Sequence, residues 1–213
     1  MFDIEYKGAN TVVISTKKSV IVTDPKLSIH GQKDYVVKNA IELATEEQFS
    51  LADDDFSLSI SYPGGYEVGD FSINGFPEKR HLDGEEEGKK SVIYSIEILN
   101  GVKVGLIGNV GPEISDEQLE NLGTVDILIL PVGGNGYTLD ATSAAKIVRN
   151  VDPKVVIPVH YLEDGLNYEV PQGDLTTFIK ELGADVEKTQ KYKVKSLTSL
   201  PEKLTIVQVE RTK

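Results

Sequence analysis

Two segments in the second half of the chain constrain its fold most. Val125 to Val132 and Lys154 to Val159 are almost unbroken apolar runs, the pattern of strands buried on both faces. Helical segments are interspersed with them. Ser115, with Glu117 and Gln118 close behind, opens a helix that stops at Gly123, an N-cap arrangement closed by a C-terminal glycine. Asp140 to Val151 repeats apolar positions at helical spacing, and Asp174 to Leu182 is a helix closed by Gly183. Lys191 to Lys195 and Leu204 to Glu210 read as final strands.

The first half is β-rich. Phe2 to Tyr6, Thr11 to Ser15 and Ser19 to Thr23 are short strands broken by Gly8-Ala9-Asn10 and Lys17-Lys18, the third ending in Asp24-Pro25. Ala40 to Ala44 is one more. Asp53-Asp54-Asp55 reads as a solvated turn. Phe56 to Ser61 and Phe71 to Ile73 alternate like half-buried strands, with a turn at Pro63 to Gly69 between them. Glu78 to Lys90 is charged and expected to be an exposed loop. Ser91 to Leu99 and Val102 to Ile107 flank Asn100-Gly101, a strong hairpin signal. No linker, repeat or composition break divides the chain. One domain over 1–213 is expected, with two sheets face to face and helices outside.

Charge narrows the partners. The chain carries a net charge of −12 over 213 residues, which repels phosphate backbones and anionic membrane surfaces, so no nucleic acid is expected as a partner. No apolar run approaches the roughly 20 residues of a membrane helix. The segment Met1 to Glu5 has neither the basic nor the apolar part of a signal peptide. With no cysteine, disulfides and thiolate zinc sites are excluded. A cytoplasmic protein fits these features. A homodimer and a small-molecule ligand are both compatible with them.

Several segments, in this order and spacing, resemble the metallo-β-lactamase superfamily, and within it the small-hydrolase branch that includes ascorbate-6-phosphate lactonase-like proteins. Ile21-Val22-Thr23-Asp24-Pro25 is similar to that branch's "ILIDP" segment. Pro63-Gly64-Gly65-Tyr66-Glu67-Val68 resembles "PGEYEV", and Ile107-Gly108-Asn109-Val110-Gly111 falls within its "HLGDLG" segment. The runs ending in Val132-Gly133-Gly134 and Val159-His160-Tyr161, with Thr138 to Ala141 between them, are similar too. The resemblance covers roughly Ile4 to Val209. It implies an α+β fold, a four-layer αββα sandwich of metallo-β-lactamase type. In active members, histidines and carboxylates at strand ends bind one or two metal ions, which make hydroxide available near neutral pH.

The ligand positions are mostly altered. Where the family writes T-H-x-H-x-D-H, this chain has Thr45-Glu46-Glu47-Gln48-Phe49-Ser50-Leu51. By the resemblance, Glu46 and Gln48 replace two histidines, Ser50 an aspartate, Leu51 a further histidine, and Asn109 the bridging aspartate. His160 matches the terminal ligand and His81 the middle one, while Asp24 is a supporting residue. Gln, Ser and Asn are weak neutral ligands and Leu is none. The expectation is therefore no bound metal. If zinc or manganese does bind, His81, His160 and Glu46 are the ligands.

The ligand-binding residues expected at the site are His81, Asn109, His160, Glu46, Asn135 and Tyr161, with Tyr66 also near the rim. Hydrogen bonds should cross the former metal site through His160 or Asn109, and Glu46 should pair with a histidine or face solvent. Leu51 should fill space there. His30 and His81 read as solvated, and His160 equally as a hydrogen-bonded strand-end residue. Gly133-Gly134-Asn135-Gly136 before the helix at Asp140 is either an anion-binding loop or an ordinary connection; it is no Walker loop. Two function classes fit: a catalytically degenerate ligand-binding or interaction module, and a metal-dependent hydrolase of small phosphorylated or lactone-like substrates with an atypical mononuclear site.

Overall fold

The computed structural model describes residues 1–81, 90–99 and 101–212. The charged stretch 82–89, most of the expected loop, and Asn100 of the expected hairpin turn lie outside the described residues.

In chain order the elements are β1 (Phe2–Gly8), β2 (Thr11–Ser15), β3 (Val20–Thr23), β4 (Ile41–Leu43), β5 (Leu58–Ile60), β6 (Gly64–Val68), β7 (Phe71–Lys79), β8 (Lys90–Ile98), β9 (Lys103–Leu106), α1 (Asp116–Leu122), β10 (Ile127–Pro131), α2 (Ala141–Val151), β11 (Val155–Val159), α3 (Leu175–Leu182), β12 (Asp185–Thr189), β13 (Tyr192–Val194) and β14 (Thr205–Val209). They form two mixed sheets. One has the order β13-β1-β2-β3-β4-β5, the other β12-β14-β11-β10-β9-β8-β7-β6. The unbroken apolar runs become β10 and β11, which pair in parallel at the middle of the second sheet. All five residues of each are buried, as the absence of a polar face requires.

One apolar cluster joins the inner faces of both sheets. It takes Ile4, Ile14, Ile21 and Leu43 from the first, and Ile73, Ile96, Leu106 and Ile129 from the second. Helices α1 and α2 pack on the eight-stranded sheet, with α3 against α2. Their caps are those the sequence wrote. Ser115 and Gln118 form a capping box, and Asp140 and Asp174 accept from backbone N–H groups in the first turns of their helices. The outer face of the six-stranded sheet carries a small second cluster, in which Val13 and Val22 meet Ala40 and Phe56, with Tyr35, Val37 and Leu51 packed against it. The expected α+β sandwich is therefore present, and among the described residues this outer layer is loop and 3-10 turn. Among the described residues, no helix is long and apolar enough to cross a membrane.

Two local expectations need correction, and one strand had no signal in the sequence. Pro63 to Gly69 is no simple turn: β6 pairs antiparallel along β7 from Gly64↔Gly75 to Val68↔Phe71. The glycines suggest a turn, but a long neighbouring strand overrides that preference. Strand β7 itself runs on to Lys79, so Glu78 and Lys79 belong to the sheet. The exposed strand β12 has no apolar alternation and forms by parallel pairing with β14.

Candidate functional site

The chain segments that leave β3, β4, β7, β9 and β11, together with the β1–β2 turn, are joined by a set of polar contacts. Asp24, directly after β3, is buried with φ +39°. Its carboxylate accepts from the Thr45 backbone N–H at 2.6 Å and the Thr45 hydroxyl at 2.7 Å. Burial is the main reason its pKa is pushed up to about 8; the Thr45 hydrogen bonds oppose this, and nearby Glu46 and Glu42 add to it. Asp24 thus positions the start of the motif segment.

Glu46 follows directly and is 5% exposed. The Arg80 guanidinium, after β7, brings Nε within 2.8 Å of Glu46 Oε2. The contact is an ion pair whose angle falls outside hydrogen-bonding geometry. The same oxygen accepts from Gln48 Nε2 at 2.6 Å. The guanidinium also reaches the Tyr137 hydroxyl. The sequence led one to expect Glu46 to pair with a histidine or face solvent; it is buried instead, and among the described residues an arginine and a glutamine meet it. Nothing in the sequence marked the role of Arg80 apart from its place beside His81.

Asn109, after β9, is fully buried. Its Oδ1 accepts from Asn10 Nδ2 at 3.2 Å, and its backbone carbonyl accepts from the His81 N–H at 3.0 Å. Asn10 was not anticipated; it sits in the β1–β2 turn and had only the signal of a turn asparagine. His81 is half-buried rather than exposed.

His160, after β11, is fully buried with φ +50°. Its N–H donates to the Ala9 carbonyl at 2.9 Å, placing it one residue from Asn10. Its Nδ1 lies 3.2 Å from Gln172 Oε1. The ring stacks on Tyr137, with centroids 5.7 Å apart and planes at 16°, and lies 4.7 Å from Tyr168. His30 is buried too, against the expectation of a solvated side chain, because the 3-10 turn Leu27–His30 brings it edge-on to His160. Burial first, and the nearby His30 second, push the His160 pKa down to about 3.

The remaining expected residues lie in different places. Asn135 is exposed, with its side-chain amide on the Pro171 carbonyl. Tyr161 is buried against Tyr6 within the main core. The Tyr66 hydroxyl donates to the Tyr62 carbonyl on β6's side of the second sheet. Leu51, expected to fill space at the site, packs instead on the outer face of the six-stranded sheet, and its N–H donates to Glu42. In the glycine loop, a Cβ on Gly133 would collide with Gln172 and the His160 carbonyl. Close packing thus accounts for that glycine.

The donor set fits a metal poorly. Glu46, which the resemblance sets at the first ligand position, already faces a guanidinium and an amide. Asn109, which it sets at the bridging position, is an amide held by another amide. Among the described residues, no group of three or more His, Asp or Glu is arranged to hold an ion. Several buried polar atoms, including His160 Nε2, Asn109 Nδ2, Asn10 Oδ1 and Thr138 Oγ1, have no hydrogen-bond partner among the described residues. Such atoms are costly unless something polar meets them.

Residues 3–160 match a family described as the β-lactamase superfamily domain. A metal-dependent hydrolase of Lysinibacillus sphaericus is 26% identical over 193 residues, covering 75% of this chain and 85% of the relative. One from Archaeoglobus fulgidus is 24% identical over 187 residues, with 80% of each chain covered. A crystal structure from Thermotoga maritima, described as that of a candidate Zn-dependent hydrolase of the metallo-β-lactamase superfamily, aligns with TM-score 0.74 at 22% identity. The alignment covers 99% of this chain and 100% of that one, a likeness of fold.

Proposed function

The chain belongs to the metallo-β-lactamase superfamily, and from that premise we propose that it is a metal-independent member whose altered centre binds a small molecule instead of generating hydroxide. One observation carries this reading: the Arg80 guanidinium 2.8 Å from Glu46. A dication held by Glu46 would sit within a few ångströms of a fixed positive charge, in a buried setting that screens it poorly. The Asn10–Asn109 amide pair supports the same reading, because a neutral amide both donates and accepts where a metal would need a carboxylate. The unpartnered atoms on His160, Asn109 and Thr138 are the groups with which a polar ligand would bond.

A second reading is favoured by a different observation. The relatives are named metal-dependent hydrolases, and His160 Nε2 is buried with no partner among the described residues. On this reading His81, His160 and Glu46 hold one zinc or manganese ion and the substrates are small phosphorylated or lactone-like molecules.

Elemental analysis of protein purified without a metal-affinity tag separates the two. The first reading expects less than stoichiometric zinc, manganese or iron, and a melting temperature indifferent to chelator. One ion per chain, lost on His160→Ala, with a melting temperature that falls with chelator and recovers with zinc, establishes the second and overturns the first.

A further inference from the structure

The geometry points to a second ligand site, distinct from the altered centre, for a small organic anion: a phosphate or carboxylate carried on a planar apolar body. A cavity of about 590 Å³ opens between the segment after β3 and the C-terminal residues beside β1. That volume lies within the usual range of small-molecule sites. Leu27, Tyr35 and Val36 give it apolar and aromatic wall, while Lys7, Lys33 and Arg211 face it with positive charge. Among the described residues, the one acidic side chain lining it, Asp34, is turned to the Ser28 backbone N–H at 2.7 Å. Three cations facing one cavity run against the chain's net charge of −12, so the charge distribution here is local.

The cations retain donors for a ligand. Lys7 is 8% exposed, and its ammonium donates to Glu5 at 3.1 Å and to the Thr212 hydroxyl at 2.9 Å. An ammonium has three donors, so the third is not accounted for by these bonds. Its Nζ also stands 4.8 Å from the centre of the Tyr35 ring, a cation–π distance that fixes both groups at the cavity wall. Arg211 donates through Nη2 to the Asp164 carbonyl at 2.6 Å. A carbonyl carries no formal charge and Glu163 offsets the guanidinium only through a minor electrostatic contribution, and the fork has further N–H groups. The site therefore offers a fixed ammonium beside an aromatic face, a guanidinium and an exposed lysine. An anionic group would meet the cations while a flat apolar body lies against Tyr35, Leu27 and Val36.

Isothermal titration of the full chain at low ionic strength with 1-naphthyl phosphate tests this, with inorganic phosphate and 1-naphthol as the halves of the probe. The expected result is saturable binding of the naphthyl phosphate at one per chain, tighter than either half. Lys33→Gln and Arg211→Gln should each weaken it about tenfold, as expected for the loss of a charged contact. Lys33 is exposed, so its variant keeps the test valid if Arg211→Gln folds poorly. Gln48→Ala, an exposed position beside Glu46, should leave the affinity unchanged. Absence of saturable binding up to about 1 mM, equal affinity for 1-naphthol, indifference to both pocket variants, or loss of binding in Gln48→Ala would each overturn the proposal.

Discussion

His160 and His30 meet edge to face, with ring centroids 5.6 Å apart and planes at 84°. Both rings are buried, and burial is the first cause of a lowered pKa in each. His160 is pushed down to about 3. The unfolded chain binds a proton at this residue from about pH 6.5, whereas the native state does so only near 3. The native state therefore loses stability from this residue as pH falls from about 6.5 to 3. Histidine NMR should show the His160 ring shifts constant between about pH 8 and 5. A midpoint near the ordinary histidine value for His160 would contradict the buried neutral ring.

Asp24 produces a pH dependence in the neutral range. Its folded pKa of about 8 lies above the ordinary 3.8. Between these values the native state holds a proton that the unfolded chain has released, so stability declines as pH rises from about 4 to 8 and levels above that. Asp24→Asn should gain stability relative to the native sequence as pH rises across this window. Urea denaturation at about pH 5 and pH 8 measures it; a constant difference between the two proteins would show that Asp24 is ionised throughout.

Arg80 and Glu46 should be energetically coupled. Their side chains are only 12% and 5% exposed. Arg80→Met removes the cation beside a buried carboxylate and should cost about 3 kcal/mol. Adding Glu46→Leu should restore part of that loss, because the carboxylate that Arg80 faces goes with it. A double-mutant cycle in urea reads the coupling directly. Strictly additive effects would mean the pair contributes nothing as a pair.

Gly133→Ala tests the packing of the loop after β10. Its Cβ would collide with Gln172 and with the His160 carbonyl oxygen. Backbone cannot move aside cheaply, so the variant should lose about 1–3 kcal/mol and shift the His160 ring resonances. Unchanged stability and His160 shifts would show that the loop is loose enough to serve as an open anion site.

The resemblance sets Glu46, Gln48, Ser50 and Asn109 at positions expected to carry stronger donors in active members. What stands around them was legible only in part. A bond involving Asn109 or His160 was expected, and both occur, to Asn10 and Gln172. Arg80 as the partner of Glu46, and His30 against His160, were not foreseen, since each pair joins residues distant along the chain.

The sequence by itself determined those features that depend on near neighbours. The caps at Ser115, Asp140 and Asp174, the glycine stops at Gly123 and Gly183, and the doubly buried strands β10 and β11 follow from local hydrogen bonding and from runs with no polar face. Tertiary structure alone decided the features that depend on a distant partner. Strand β6 exists because β7 offers it a ladder, β12 because β14 does, and Leu51 packs on the outer face because Val13 and Val22 present an apolar surface there. The physical reason is common to all three: a backbone hydrogen-bond ladder or an apolar contact gains free energy only when the opposite surface is present, and no local segment encodes its partner's position.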